Sequence, residues 1–538
     1  MTGTLQRGTP PPLGLPRHTA AVRARPRGAR RRIVVVVGAL IAAALLAPLV
    51  LVVLDARSAG WTEVHSVLFR ARSLMLLRHT VVLALLVVLA SATIGVAAAW
   101  CTERCALPGR RIWTVLLVLP IAMPDFVVGY AWHSFAPQLN SLFAATLVMT
   151  LGTYPLVYLP VAAALRRADP AMEDTAHSLG VGRVSTFIRI SLPSVATAVL
   201  GGAVLVVLTV ISEYGAFEIL RYSTFTTEIF NEFGFEPEAA GALAIPLVLL
   251  GLIALWTEGF LGRRRGLPGV SARRPAVPPR WRRSPGTAIP MTVGLLALVG
   301  LGVGVPIGTL IYWMAQSQHT TLPAAATVGQ ATWTTLRYSA WGALLAVTAA
   351  VPVAMMSFRR RTRTRAVLER STFVTQAVPG VVIALSLVFF ATRYAFSLYQ
   401  TGLLLVIAYA IIHFPLALVC VKTSTNQAPA RLIDIGNSLG RRPLFVFVRV
   451  TLPLLAPGLL AGFCLVFLTA VTELTATLVL APIGVHTLAT QFWAFQSEVA
   501  YGAAAPYALV IVILAVIPGA LVGLWFDREQ RRPASAST

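Results

Sequence analysis

Twelve apolar runs, each of about 20 residues, constrain this chain more than any other feature, because about 20 residues of helix cross a ~30 Å hydrocarbon core. They fall near 33–54, 79–101, 113–133, 142–165, 194–217 and 240–260. Six more fall near 288–313, 333–356, 371–392, 402–421, 453–478 and 504–526. In hydrocarbon every backbone N–H and C=O must be bonded within the protein, so only helices or a closed barrel can cross. No alternating pattern of the barrel type is present, and the expected fold is an all-α integral membrane protein with about 12 transmembrane helices. Of the 538 residues 57% are hydrophobic and only 12% charged, too little polar surface for a soluble chain of this length.

The net charge of +24 is placed in clusters. Arg23, Arg25, Arg27 and Arg30–Arg32 precede the first run, and Arg263–Arg265, Arg273, Arg274, Arg280, Arg282 and Arg283 separate the sixth from the seventh. Arg359–Arg361, Arg363 and Arg365 follow the eighth, and Arg528, Arg531 and Arg532 close the chain. If twelve spans alternate, all these clusters share one side. The positive-inside rule makes that side the cytoplasm and puts both termini there. Anionic lipid headgroups of the bilayer are then the partners of these arginines, and nucleic acid is not. The segment 55–78 is an exception, with Arg57, Arg70, Arg72 and Arg78 on the opposite side. The loop near 218–239 on that side is acidic, carrying Glu218, Glu228, Glu232, Glu236 and Glu238. As a whole it is a candidate contact for an external protein.

The chain repeats itself at an interval of about 260 residues. Asp174-Thr-Ala176-His-Ser-Leu-Gly180, nine residues, then Ile190-Ser-Leu192-Pro193 returns as Asp434-Ile-Gly-Asn-Ser-Leu-Gly440, nine residues, then Val450-Thr-Leu452-Pro453. Leu77-Arg78-His79-Thr80 returns as Leu336-Arg337-Tyr338-Ser339, Tyr154-Pro155 as Phe414-Pro415, and Ser212-Glu213 as Thr472-Glu473. Pro124 pairs with Pro379. Six spans per half give both halves the same orientation, a parallel duplication with its axis along the membrane normal. The expected divisions are a basic leader (1–32), a first membrane domain (33–262), an Arg-rich linker (263–286), a second membrane domain (287–527) and a tail (528–538). The first span is too long for a cleaved signal peptide and reads as a retained anchor.

Any apolar residue serves in a span, so a polar loop kept this closely in both halves has a specific job. Residues 173–179 read as a short helix ended by Gly180, which admits a positive φ. Residues 184–190 read as a second short helix before Leu192-Pro193 starts the next span.

This loop resembles the EAA loop of the permeases of binding-protein-dependent ABC importers. Asp174 stands at its acidic position, Ala176 at its second alanine and Gly180 at its glycine, with Leu192-Pro193 closing it. Asp434, Gly440, Leu452 and Pro453 repeat the pattern, while Thr175, Ile435 and Gly436 depart from it. The resemblance covers about residues 75–525 and implies two type I permease halves in a bacterial inner membrane. It implies that two ATP-binding subunits dock on the two loops and that an extracytoplasmic binding protein delivers the substrate. Lys422 is the single lysine of the sequence and no glycine precedes it, so a G-x-x-x-x-G-K-[ST] phosphate loop is not encoded. ATP then belongs to the partners; no cofactor, no metal centre and no enzyme activity are expected of this chain.

Glu473-Leu-Thr-Ala-Thr477-Leu-Val-Leu480-Ala-Pro482 with Thr487-Leu-Ala-Thr490 is similar to a signature of ferric permeases, as is Tyr214-Gly215 with Thr224-Phe-Thr226-Thr227. Ferric iron is the cargo this implies; thiamine, phosphonate and polyamines are alternatives within the class. A secondary transporter of two six-span halves is the rival class, and it needs no repeated docking loop. Glu213 and Glu473 are carboxylates at the outer ends of spans, hence candidates for the translocation path, with a structural hydrogen bond at a helix end as the other reading. Asp125, whose counterpart is Gly380, is a third candidate.

Overall fold

The computed structural model describes residues 27–529 except 106, 169–170, 265–284, 318–321, 357–370, 373, 428–434, 436–438 and 440–442. The expected leader, linker and tail thus lie largely outside the described residues, as do Asp434 and Gly440. In the first half the helices are α1 (Arg27–Ala59), α2 (Trp61–Leu68), α3 (Ala71–Arg104), α4 (Arg110–Val118), α5 (Asp125–Phe135) and α6 (Ser141–Arg167). They continue as α7 (Ala171–Ser178), α8 (Arg183–Thr186), α9 (Leu192–Ser212), α10 (Gly215–Ile219), α11 (Phe225–Phe233) and α12 (Pro237–Arg264). The second half contains α13 (Pro285–Val299), α14 (Val305–Gln316), α15 (Ala325–Met355), α16 (Gly380–Tyr394) and α17 (Gly402–Gln427). It closes with α18 (Pro443–Val446), α19 (Leu452–Val471), α20 (Thr475–Leu480), α21 (Leu488–Ser497) and α22 (Tyr501–Glu529).

Among the described residues nine helices are long and apolar enough to cross a membrane, or ten if the bent α4–α5 pair counts as one. Shorter apolar helices, Gly380–Tyr394 and Tyr501–Val516, occupy the ninth and twelfth expected spans. The third expected span is broken by a 91° bend. The cause is local: Met123 precedes Pro124 and is held extended, ψ 125°, because proline disfavours a helical residue before it. Val378 before Pro379 does the same, with ψ 117°.

Residues 184–190 do not form a separate helix. The chain runs as one helical element from Val184 to Ser212, through a π turn at Phe187–Ser191. Matching π turns occupy Phe447–Thr451 and Gly300–Gly304. Each ends two residues before a proline: Pro193, Pro453 and Pro306. Proline lacks an N–H and its ring crowds the carbonyl four residues back, and a wider turn moves that carbonyl aside. The Leu-Pro of the repeated loop therefore makes a joint inside a continuous helix.

Each half lends its first span to the other. Helix α1 packs on α15 and α16 as well as on α12, and α14 packs on α5 and α22. Ser386 donates its hydroxyl to the Pro48 carbonyl in the middle of α1 at 3.1 Å. Tyr130 donates to the Tyr501 carbonyl at 2.7 Å, and Phe126 and Tyr130 both pack against Phe492. The apolar cores accordingly mix the halves: Tyr154 and Phe217 share one with Phe492 and Tyr507.

The spans before Glu213 and Glu473 stop earlier than their apolar runs, at Ser212 and Val471, and short helices follow. The broken backbone is satisfied by hydroxyls. Thr224 and Thr227 form a reciprocal capping box on α11, and Thr487 and Thr490 form the same box on α21. Thr80 accepts the Phe225 N–H at 3.1 Å, and Thr335 accepts the Leu488 N–H at 2.9 Å.

Thr335 is 5% exposed, so Thr335→Val strands a buried N–H and is expected to cost about 1–3 kcal/mol, seen as a lower thermal midpoint in detergent. Thr334, exposed and bonded only within its own helix to Gln330, is the control. Its valine variant is expected to stay within about 0.5 kcal/mol of the parent.

Candidate functional site

The repeated loop of the first half is a helix with one buried and one open face. Glu173 and Ala176, three apart, are buried on the same side of α7, whereas Asp174 is exposed. The helix ends as a Schellman motif: Val181 N–H bonds the Ala176 carbonyl at 2.9 Å and Gly180 N–H bonds that of His177 at 3.0 Å. Gly180 has φ 78°, with open space where a Cβ would stand. Its requirement is therefore conformational rather than steric.

Glu173 fixes this helix to the rest of the half. Its carboxylate lies 3.2 Å from Arg104 Nε at the end of α3 and accepts the Ser191 hydroxyl at 3.0 Å in the π turn below α9. Glu173 is 4% exposed and Arg104 1%. Among the described residues Glu173 is the counter-ion that Arg104 has. Beside it Glu103, 3% exposed, is held by Arg110 and by Arg166, the latter at 2.7 Å. Sequence reasoning singled out Asp174 and passed over Glu173. The signal for Glu173 was its three-residue spacing from Ala176 on an otherwise polar helix.

The open side of the loop is apolar. Leu179 is 77% exposed and Val184 72%, and their counterparts 260 residues on, Leu439 and Leu444, are 72% and 74% exposed. Leu192 and Leu452 start α9 and α19, each followed by its proline.

The second constellation lies where the halves meet. Glu213 accepts the Ala216 N–H at 2.8 Å and Glu473 accepts the Ala476 N–H at 3.0 Å, so each caps the short helix after it. Phe126, next to Asp125, and Leu474, next to Glu473, both lie against Gly215, two residues after Glu213. All three carboxylates are partly exposed. Asp125 is the first residue of α5, where a negative charge suits the helix dipole, and its carboxylate lies over Gly152 of α6. In the second half Gly380 stands in that place, and the Glu473 carboxylate lies 3.5 Å from where a Gly380 Cβ would be. The two halves touch here, with the Leu474 side chain against Gly215. The carboxylates line a common region; among the described residues no three His, Cys, Asp or Glu side chains are grouped to hold a metal ion.

Glu228 and Glu232 of the acidic loop are not a free negative face, because Arg72 binds Glu228 at 2.5 Å and Arg70 binds Glu232 at 2.7 Å. Arg70 and Arg72 are two of the four arginines that depart from the charge rule, and these pairs give them their counter-ions. The threonines of the ferric-like signatures, Thr224, Thr227, Thr487 and Thr490, spend their hydroxyls on helix caps.

Two duplicated helical halves that exchange their first spans and meet around three carboxylates define a membrane permease made from one chain. The family described as the binding-protein-dependent transport system inner membrane component matches residues 91–266 and 342–532, and the chain belongs to it. It is 35% identical over 487 residues to the Fe(3+)-transport system permease protein FbpB 2 of Haemophilus influenzae, covering 89% of this chain and 95% of that one. The sulfate transport system permease protein CysW of Synechocystis is 29% identical over 216 residues, 35% of this chain and 77% of the relative. The molybdenum transport system permease protein ModB of Escherichia coli is 29% identical over 210 residues, 33% of this chain and 88% of the relative. The chain is thus a multi-pass membrane component of an ABC importer, of a kind that depends on a binding protein.

Glu173→Ala leaves the Arg104 guanidinium buried without its counter-ion and is expected to cost about 3 kcal/mol or more. A lowered unfolding midpoint and faster proteolysis near residue 180 would report it. Asp174→Ala, on the open face, is expected to change stability by no more than about 0.5 kcal/mol.

Proposed function

We propose that this chain forms the translocation path of a ferric iron importer, fed by an external binding protein and driven by two ATP-binding subunits. The observation that carries the iron assignment is extent: similarity to the ferric permease spans both halves, 95% of that protein, whereas the sulfate and molybdenum relatives align to about a third of this chain. Chemistry agrees. Glu213, Glu473 and Asp125 offer hard oxygen donors, which suit a hard cation.

In this reading the arginine-rich loops and both termini face the cytoplasm. The loops Asp174–Pro193 and Asp434–Pro453 are then the docking elements, one for each ATP-binding subunit. Support comes from the paired exposure of Leu179 with Leu439 and of Val184 with Leu444, apolar groups beside charged ones that a partner's groove would cover. Asp174, exposed on the same element, is free to meet a cation of the partner. ATP hydrolysis belongs to those subunits.

Co-purification tests the docking. The double variant Leu179→Asp, Leu439→Asp is expected to lower recovery of an ATP-binding subunit by roughly ten-fold or more, since each leucine buried is worth about 1.5–3 kcal/mol. Gly180→Leu, strained at positive φ, is expected to weaken it too. Undiminished recovery would reject these loops as the docking elements.

Uptake of radiolabelled ferric iron tests the path. Glu213→Gln and Glu473→Gln keep an acceptor for the Ala216 and Ala476 N–H groups while removing charge. Each is expected to slow uptake by roughly ten-fold, ~1.4 kcal/mol on the barrier, with the ATP-binding subunit still bound. Uptake at the parental rate in both variants would remove the glutamates from the path.

A further inference from the structure

The second half carries a groove on its outer surface. It lies between α15 and α17, has a volume of about 680 Å³ and is lined by Arg337, Tyr338, Trp341, Leu344, Leu345 and Gly402 among others. Its floor and walls are apolar and open: Trp341 is 57% exposed, Leu344 43% and Leu403 54%. A soluble protein would hide such a stripe; in a chain that spans the bilayer it faces lipid.

One end of the groove is charged. Arg337 is exposed, and its guanidinium sits over the Tyr338 ring at 5.1 Å, a cation–π contact that holds the head in place. Tyr338 in turn rests on Gly402, whose missing side chain is what admits the ring: a Cβ there would stand 2.8 Å from Tyr338 Cζ. From Arg337 the lining runs down one face of α15 to Thr348. Eleven residues of helix are about 16 Å, the depth of one leaflet of a ~30 Å core.

We infer that this groove is a binding site for one anionic phospholipid, its phosphate on Arg337 and an acyl chain lying along Trp341, Leu344 and Leu345. A fixed cation at one end and an apolar trough one leaflet deep match the two parts of such a lipid and no soluble ligand. The first half supplies the comparison. Arg78 repeats Arg337 and is likewise exposed, but its neighbour His79 stacks on Tyr222 at 5.3 Å instead of floating a cation over an open trough.

The test is native mass spectrometry of the full chain, delipidated in detergent and titrated with phosphatidylglycerol or with phosphatidylcholine of the same acyl chains. Phosphatidylglycerol is expected to be retained in preference. Arg337→Ala is expected to lower that retention about five-fold, the worth of one arginine at a lipid surface. Leu344→Trp, which fills the trough and leaves the charge, is expected to lower retention of both lipids, and Arg78→Ala to lower neither. Equal retention of the two lipids by the parent chain would overturn the site. So would an Arg337→Ala chain that keeps phosphatidylglycerol as the parent does, or an equal loss in Arg78→Ala.

Discussion

A polypeptide in hydrocarbon has no water to complete its backbone hydrogen bonds, so each place where a helix stops inside the bilayer must be completed by a side chain. This chain stops its helices at equivalent places in both halves and completes them with the same chemistry. Glu213 and Glu473 take the Ala216 and Ala476 N–H groups, and Thr80 and Thr335 take those of Phe225 and Leu488. Where proline prevents completion, the helix is re-formed as a π turn ahead of Pro193, Pro306 and Pro453. The positions of the glutamates thus follow from the breaks. A carboxylate that caps a broken helix stands beside the backbone it satisfies, with part of its surface open where the halves meet.

Charge is handled by pairing at either end of the first half. Arg70 and Arg72 neutralise Glu228 and Glu232 at one end, and Arg104 and Arg110 hold Glu173 and Glu103 at the other. Arg104 and Glu173 are both buried, so removing one leaves the survivor desolvated, whereas Arg70 and Arg72 keep much of their side chains exposed and their pairs are weaker. These pairs therefore fix which elements lie together. Arg104 with Glu173 joins the end of α3 to α7, and Arg70 with Glu232 joins the start of α3 to α11.

Much of the architecture was legible because the bilayer imposes a single length and the duplication repeats it. The expected spans from 142–165 and 402–421, for example, are α6 and α17 within a few residues. Proline predicted the bend at 124 only as a pairing with Pro379, since a 91° turn depends on what packs beside it. The pairing within the acidic loop was not legible because its partners, Arg70 and Arg72, lie 158 and 156 residues away from Glu228. Glu173 was passed over for the same reason: its value depends on Arg104, 69 residues earlier. Local spacing identifies which residues share a face, but not the charge that faces them. The Thr-Leu-Ala-Thr motif shows the converse, since its similarity to a cargo signature is accompanied by a capping role that explains the threonines outright.

The two halves share their breaks but not their charges, and the difference lies along one helix. Helix α9 begins at the π turn whose Ser191 bonds Glu173, and it ends at Glu213, the residue that caps α10. In the second half the residues at these places are Ile433 for Glu173 and Gly380 for Asp125. A force applied to α7 is carried by a carboxylate that also grips α3 and the joint of α9, so these three elements move together or the buried pair breaks. The pseudo-symmetry governs where the chain bends, and in the first half a buried ion pair ties α7 to the end of α3 and to the π turn that starts α9.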